Sequence, residues 1–383
     1  HPLTHSLTHS LTHSLTHSME DLVESHTRFD LLTQKADMLE HLEQYGYAVI
    51  AQVATPHHTH IGLQHLWDFL ENLPDTTCKR DDPSSWSDDE WYPSPKNGIL
   101  NAMGTGQSSF CWQARMLPQV KETFAAVWGT EELITSFDGA NVFRPWVKEK
   151  SWRTRGGWWH VDQNGFFEDR RERISVQGLV SYTAASSMTG GLCVLAGSHK
   201  KFTEMCLRNE LAYMEGNYLK ADDEILNDPS FQKRLVCCEA GDLIIWDSRT
   251  VHCNTPGKES ESLKQDPSKI LRACAYVCMT PLSFASSETL ASRRLAFIHN
   301  ESTSHWPHIF FSSGGKACAH YLPINSLNIR EGVDSGEGGE KAFTKGISLQ
   351  QRLLIDGNAP IPSYASQIYR YAESTLGGMC LIS

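Results

Sequence analysis

Nothing in the 383 residues of this chain is an apolar run of membrane-spanning length, so no transmembrane helix is expected. Surplus positive charge is missing too: 45 acidic against 34 basic residues leave a net charge of -11, the wrong sign for a surface that must neutralise phosphates. No nucleic-acid partner is therefore expected. The eleven cysteines include no Cys-x-x-Cys and show no regular spacing, and their odd number does not suit a disulfide frame. They read as reduced, mostly buried thiols of a cytoplasmic protein, with the adjacent Cys237 and Cys238 facing opposite sides of a strand. On that reading the sequon at Asn300 is a chance match.

What is present is an ordinary soluble composition, 40% hydrophobic and 21% charged, enough for one large core. Residues 1–18 repeat Leu-Thr-His-Ser and read as a translated simple repeat ahead of Met19. Their histidines are set aside as site evidence, and no targeting signal can be judged there. Helical spacing follows over 28–44, stopped by Gly46, then a strand over 47–53 and a helix over 61–73 ending at Pro74. The acidic, Pro- and Ser-rich stretch 75–96 reads as a solvated loop, with Trp86, Trp91 and Tyr92 leaving room for a lid over a pocket. A short helix over 121–128 and a segment over 133–144 lead to strand-like runs over 174–183, 192–196, 235–251 and 270–279, with a polar insertion at 202–230. A last helix is expected over 348–354.

Short strands, glycine turns and helices at both ends predict a mainly β fold with flanking helices, a double-stranded β-helix (jelly roll, cupin-like). The expected organisation is a disordered repeat at 1–18, a single domain over 19–330 and a C-terminal extension over 331–383. The chain ends Cys380-Leu-Ile-Ser, a farnesyl-type prenylation pattern with no polybasic run before it, so any membrane association through Cys380 would be weak.

The chemistry gathers at Gly156-Gly-Trp-Trp-His-Val-Asp-Gln-Asn-Gly165. His160 and Asp162 stand two apart, so on an extended strand both leave the same face. The second run, from Gly241 through Leu243-Ile-Ile-Trp246, ends at His252. Two imidazoles and one carboxylate with three open positions suit non-haem Fe(II). An isolated His-x-Asp is more often a polar pair in a loop. Here it follows two glycines and two tryptophans in a segment expected to be buried, where a carboxylate is costly unless paired or metal-bound. Gln177, a polar residue in an apolar strand beside the metal strand, is either a hydrogen-bond donor to a bound cosubstrate or a satisfied core amide.

His160-Val-Asp162, Gly190-Gly-Leu-Cys-Val-Leu-Ala-Gly-Ser-His199, the Gly241-Asp...Trp246...His252 run and Arg272 together resemble the phytanoyl-CoA dioxygenase-like family over roughly residues 40–310. The resemblance implies an enzyme using Fe(II) and 2-oxoglutarate, which gives succinate and CO2 as a small organic metabolite is hydroxylated. It implies an arginine for the distal carboxylate of 2-oxoglutarate. Arg272 takes that part, twenty residues past His252 because 257–268 reads as an insertion. Asn254 and Arg144 match polar and basic positions of the family near the cosubstrate, although a surface arginine is the commoner reading of Arg144. Trp158 and Trp159 are expected in core and pocket wall and His199 in a turn; His305 and His308, around Trp306-Pro307, could line the entrance but are not put forward as site residues. The rival reading is a non-catalytic jelly-roll binding protein of the same fold, which calls for a broken triad. A halogenase needs a small residue where Asp162 stands, and a cupin-type enzyme without cosubstrate would form no succinate.

Overall fold

The computed structural model describes residues 22–92, 97–309 and 349–357. The 1–18 repeat, residues 93–96, the stretch 310–348 and Cys380 lie outside the described residues. Among the described residues thirteen strands form two sheets. The first runs β1 (Val23–Ser25), β10 (Gln232–Val236), β8 (Gly190–Ala196), β12 (His252–Pro256), β6 (His160–Val161), β9 (Leu219–Lys220). The second runs β2 (Tyr47–Ile50), β11 (Leu243–Asp247), β7 (Val176–Ser181), β13 (Arg272–Pro281), β5 (Ala140–Phe143), β3 (Ile99–Leu100), with β4 (Leu133–Thr135) also on β13. All pairings are antiparallel except β1 with β10. Two mostly antiparallel sheets with helices packed outside them are the expected jelly roll.

Strand alternation sorts the apolar residues into layers. Leu243 and Ile245 of β11 join Val176, Val180, Ala273, Ala275 and Val277 on the outer face of the second sheet, under the helices. Ile244 and Trp246 point the other way and meet Leu179, Leu192, Val194 and Val236 between the sheets. The outer face of the first sheet packs Trp159, Val161, Cys193, Leu195, Cys237 and Cys253 against Phe202 and Met205 of α5 (Phe202–Arg208) and Ile225 of α6 (Asp223–Leu226), both in the 202–230 insertion. Covered on both faces, these strands read as unbroken apolar runs. Cys237 and Cys238 do go to opposite layers, and all nine described cysteines are buried and unbridged.

The helices on the second sheet are α1 (Lys35–Tyr45), α2 (Pro56–Glu71), α3 (Ser109–Met116) and α4 (Pro118–Trp128). α1 starts later than its spacing predicts because Asp30 draws the Leu32 and Thr33 amides into a turn; it ends, as expected, on left-handed Gly46. α2 starts five residues early, where Thr55 accepts from the His58 amide and the His58 ring accepts from the Thr55 amide. The 75–92 aromatics form no lid. Trp86, Trp91 and Tyr92 are buried in the helix-side core, with Trp67 5.1 Å from Trp86.

Two helices beyond the strands complete the unit. α7 (Ser287–Ile298), capped by Ser286, carries buried Arg293, which donates to the carbonyls of Ile355, Leu354, Pro307 and Thr135. Those first two acceptors lie on the helix Leu349–Asp356, whose Leu354 and Ile355 are buried. The folded unit thus takes in residues beyond the expected boundary at 330. Asn300 is buried as well, which closes it to a glycan. Among the described residues no helix is long and apolar enough to cross a membrane.

Candidate metal centre

Strand parity delivers the site. Val161, Cys253, Ala273 and Val180 face outward, so His160, His252, Asn254, Arg272 and Gln177 face the space between the sheets. His160 on β6 is the cross-strand neighbour of His252 at the start of β12, with ring centroids 4.3 Å apart. Asp162 follows β6, its amide donating to the Ser248 carbonyl in the turn before His252. The sequence run thus contains two strands and a turn, and His252 opens the second strand rather than closing the first.

The three side chains converge. His160 Nε2 lies 3.4 Å from one Asp162 oxygen and His252 Nε2 lies 3.2 Å from the other. Each ring is fixed from behind: His160 Nδ1 sits 3.0 Å from the Trp158 carbonyl and His252 Nδ1 2.9 Å from the Thr250 carbonyl. A carbonyl only accepts, so Nδ1 carries the proton in both rings and the Nε2 lone pairs point at the shared centre. Gln177 donates to the Asp162 carboxylate at 2.9 Å. Burial pushes the Asp162 pKa up, but His160, His305 and the imidazole hydrogen bonds outweigh it and hold the carboxyl well below its usual range. Burial also lowers the His160 pKa against the pull of Asp162, favouring the neutral, ligating imidazole. His160 is clamped between Trp158 and Tyr218, each stacked 4.7 Å away. Ligand-capable atoms of His160, Asp162 and His252 all lie within 4.8 Å of one another. Two neutral imidazoles and an ionised carboxylate are a donor set that fits Fe(II).

Arg272 is almost fully buried at the start of β13. Its Nη1 donates to Asn254 at 2.8 Å and to Asn141 at 3.0 Å, while its Nε is buried without a hydrogen-bond partner. A buried guanidinium held by two neutral amides and the face of Phe143, with a donor unspent, fits a carboxylate guest. Gln177 and Asn254 both line the cavity, and in addition the first braces a metal ligand and the second holds the arginine. Arg144 does not reach it. Its guanidinium donates to the Trp86 carbonyl, pairs with Asp88, and lies over Trp91 and Trp152.

A cavity of about 320 Å³ opens on the triad, lined also by Ile99, Asn101, Asp138, Tyr276, Ser304 and His305 among others. His305 is among its lining residues; His308 stands half-buried elsewhere, beside Trp306 and Phe284. Trp158 forms cavity wall and Trp159 core, while His199 sits in the turn after β8 with its Nε2 3.0 Å from the Glu43 carbonyl. Sequence reasoning missed Asn141, Asp138 and Tyr218. Asn141 could have been found by the logic applied to Gln177, as a lone amide in the apolar strand Ala-Asn-Val-Phe.

A curated relative, Ava biosynthesis cluster protein O of Aspergillus versicolor, is 27% identical over 71% of this chain and 86% of its own length. A putative phytanoyl-CoA dioxygenase of Dictyostelium discoideum is 22% identical over 57% of this chain and 70% of its own. A solved structure of the epimerase SnoN with Fe3+, alpha ketoglutarate and nogalamycin RO aligns with a TM-score of 0.45 at 12% identity, over 66% of this chain and 85% of that one. The family model for phytanoyl-CoA dioxygenase matches residues 42–257, a span holding both histidines, the aspartate and every strand of the first sheet but β1. The chain belongs to the phytanoyl-CoA dioxygenase family of Fe(II)- and 2-oxoglutarate-dependent oxygenases.

Proposed function

We propose that this protein is a dioxygenase that hydroxylates a small organic metabolite, with His160, Asp162 and His252 holding Fe(II) and Arg272 anchoring 2-oxoglutarate. The observation that carries the proposal is the convergence of two Nε2 atoms and a carboxylate, with both Nδ1 atoms tied to backbone carbonyls. When bound, the iron supplies the oxidative chemistry, coupling decarboxylation of 2-oxoglutarate to succinate and CO2 with oxidation of a substrate C–H bond. The chain's own groups do the rest. Gln177 keeps Asp162 aimed at the centre. Asn141 and Asn254 hold the Arg272 guanidinium so that a carboxylate meets a preset donor. Leu179, Leu192 and Trp246 line the cavity with apolar surface, which limits water near the reacting carbon. The intact triad favours an enzyme over a non-catalytic binding protein, and the relative named for a biosynthesis cluster supports a small-molecule substrate.

The test is direct. Prepared anaerobically, the protein should bind one Fe(II), and 2-oxoglutarate should add a weak visible charge-transfer band. Asp162→Ala and His252→Ala should each abolish it; a band that survives in both variants overturns the assignment. Substrate-stimulated succinate release across a panel of metabolites then separates turnover from binding alone.

A further inference from the structure

The cavity has a second polar pole that the oxygenase chemistry does not use. Asp138 stands just before β5, Asn101 just after β3, and His305 in the segment after α7. Asp138 spends one carboxylate oxygen on the Gly139 amide at 2.7 Å, and its other oxygen has no partner among the described residues. The His305 Nε2 is buried without a partner, and the Asn101 amide makes no side-chain hydrogen bond with them. Three side chains that can accept hydrogen bonds therefore open into one cavity with capacity unspent.

Their placement is built into the fold. The Phe137 amide donates to the Thr303 hydroxyl at 3.0 Å and the Thr303 amide to the Phe137 carbonyl at 2.9 Å. That double bond pins the His305 segment against the Asp138 loop, although the two lie far apart in sequence. Buried Arg115 donates to the backbone carbonyls of Asp138 and Gly106, fixing the loop from behind. Gly139 is required for the close approach: a Cβ there would stand 1.8 Å from the Leu100 carbonyl oxygen. None of the described lining residues is Lys or Arg, and Arg272, which we assign to 2-oxoglutarate, stands outside the lining. Asp138 is half-buried and burial raises its pKa, so its free oxygen calls for a donor, and for a cation most of all, which would hold the carboxylate ionised.

We infer that Asp138, Asn101 and His305 form the recognition site for the primary substrate, and that this substrate carries a protonated primary amine. An ammonium has three N–H donors, one for each acceptor group at this pole. The amine would hold one end of the molecule while its apolar body lies along Ile99, Leu179 and Leu192 towards the triad. The inference rests on the oxygenase reading for the identity of the other pole.

The test uses the full-length protein with its metal site filled and 2-oxoglutarate present, and three probes that differ in one group: cyclohexylmethylamine, cyclohexylmethanol and cyclohexanecarboxylate. Binding is read by saturation-transfer NMR and calorimetry on protein carrying Zn(II) in place of iron. The amine should bind about tenfold or more tightly than the carboxylate. Asp138→Asn should erase that ranking while the metal content, measured separately, stays at one per chain. Equal binding of the three probes, or a ranking unchanged in Asp138→Asn, overturns the inference. If Asp138→Asn does not fold, the same comparison is made with His305→Gln and Asn101→Ala. Loss of metal binding in the wild type would instead refute the oxygenase reading and leave the probe ranking to stand or fall by itself.

Discussion

Arg272 illustrates how one side chain can be committed in advance to a guest. Its desolvation is already complete, compensated by two neutral amides and the Phe143 ring, so a carboxylate gains a charged contact without reordering the protein. Arg272→Ala should raise the 2-oxoglutarate concentration needed for half-maximal turnover tenfold or more, from roughly 1.5–3 kcal/mol of lost charged hydrogen bonding, with Fe(II) content unchanged. A kinetic titration beside metal analysis checks this; a neutral variant would move the anchor elsewhere. Asp247 makes a second case. Fully buried at the end of β11, it accepts from the Arg249 side chain at 2.8 and 2.9 Å and from Arg173 at 2.7 Å. Burial raises its pKa, but Arg249 and then Arg173 outweigh that and depress it. A depressed carboxylate contributes stability above its unfolded pKa of about 3.9 and loses it as pH falls through the folded value. Asp247→Asn should therefore cost about 3–5 kcal/mol at neutral pH, and the gap from wild type should shrink below about pH 4. Denaturant melts at several pH values measure it.

Among the elements, those read best from the sequence were strands with both faces covered and helices with a clear stop. The Leu-Ile-Ile-Trp run could only be an inner strand, and Gly46 could only end α1. Parity then put His160 and Asp162 on one side before any coordinates were known. Less legible were features that depend on distant partners. α7 buries two arginines and so carries no clean apolar stripe, because carbonyls of the Leu349–Asp356 helix satisfy Arg293 from far along the chain. Arg144 matches a basic position of the family, with a surface arginine the commoner reading, while the tryptophans that occupy it come from two other segments. Tyr218 lies in an insertion that no local pattern ties to His160. Two element-scale outcomes follow. A chain ending at residue 330 should melt several degrees lower than the full chain, since Leu354 and Ile355 are lost from the core and Arg293 loses two acceptors. Calorimetry of the two chains decides it, and equal melting temperatures would make that helix an ornament. Tyr218→Ala should weaken metal retention several-fold in a chelator competition while moving the melting temperature little, because the ring is half exposed but stacks on His160.

For the whole molecule, the metal couples site to stability. The triad draws together β6, β12 and the turn between the sheets, and a ligand that binds only the folded state stabilises it by mass action. At a hundredfold excess over its dissociation constant Fe(II) should add about 2.7 kcal/mol, and chelation should lower the melting temperature by several degrees. Asp162→Ala should show no such difference between metal-loaded and chelated samples. Scanning calorimetry under argon is the check.

The way the two sheets are closed has a further consequence, for the order of folding. β1 pairs with β10 and β2 with β11, and Arg28 reaches Asp242 across 214 positions of sequence. As the chain leaves the ribosome, Tyr47-Ala-Val-Ile50 must therefore wait, its hydrogen-bonding edge unmatched, until some two hundred further residues have been made. His252 emerges later still, and the Thr303 that pins the cavity wall comes last. Closure of so many distant pairs is slow, on the order of milliseconds to seconds even for small domains of this type. The iron site is consequently among the last parts of the molecule to exist, and the nascent protein passes through a period in which its first strands are open to association with other chains and no metal can hold it shut.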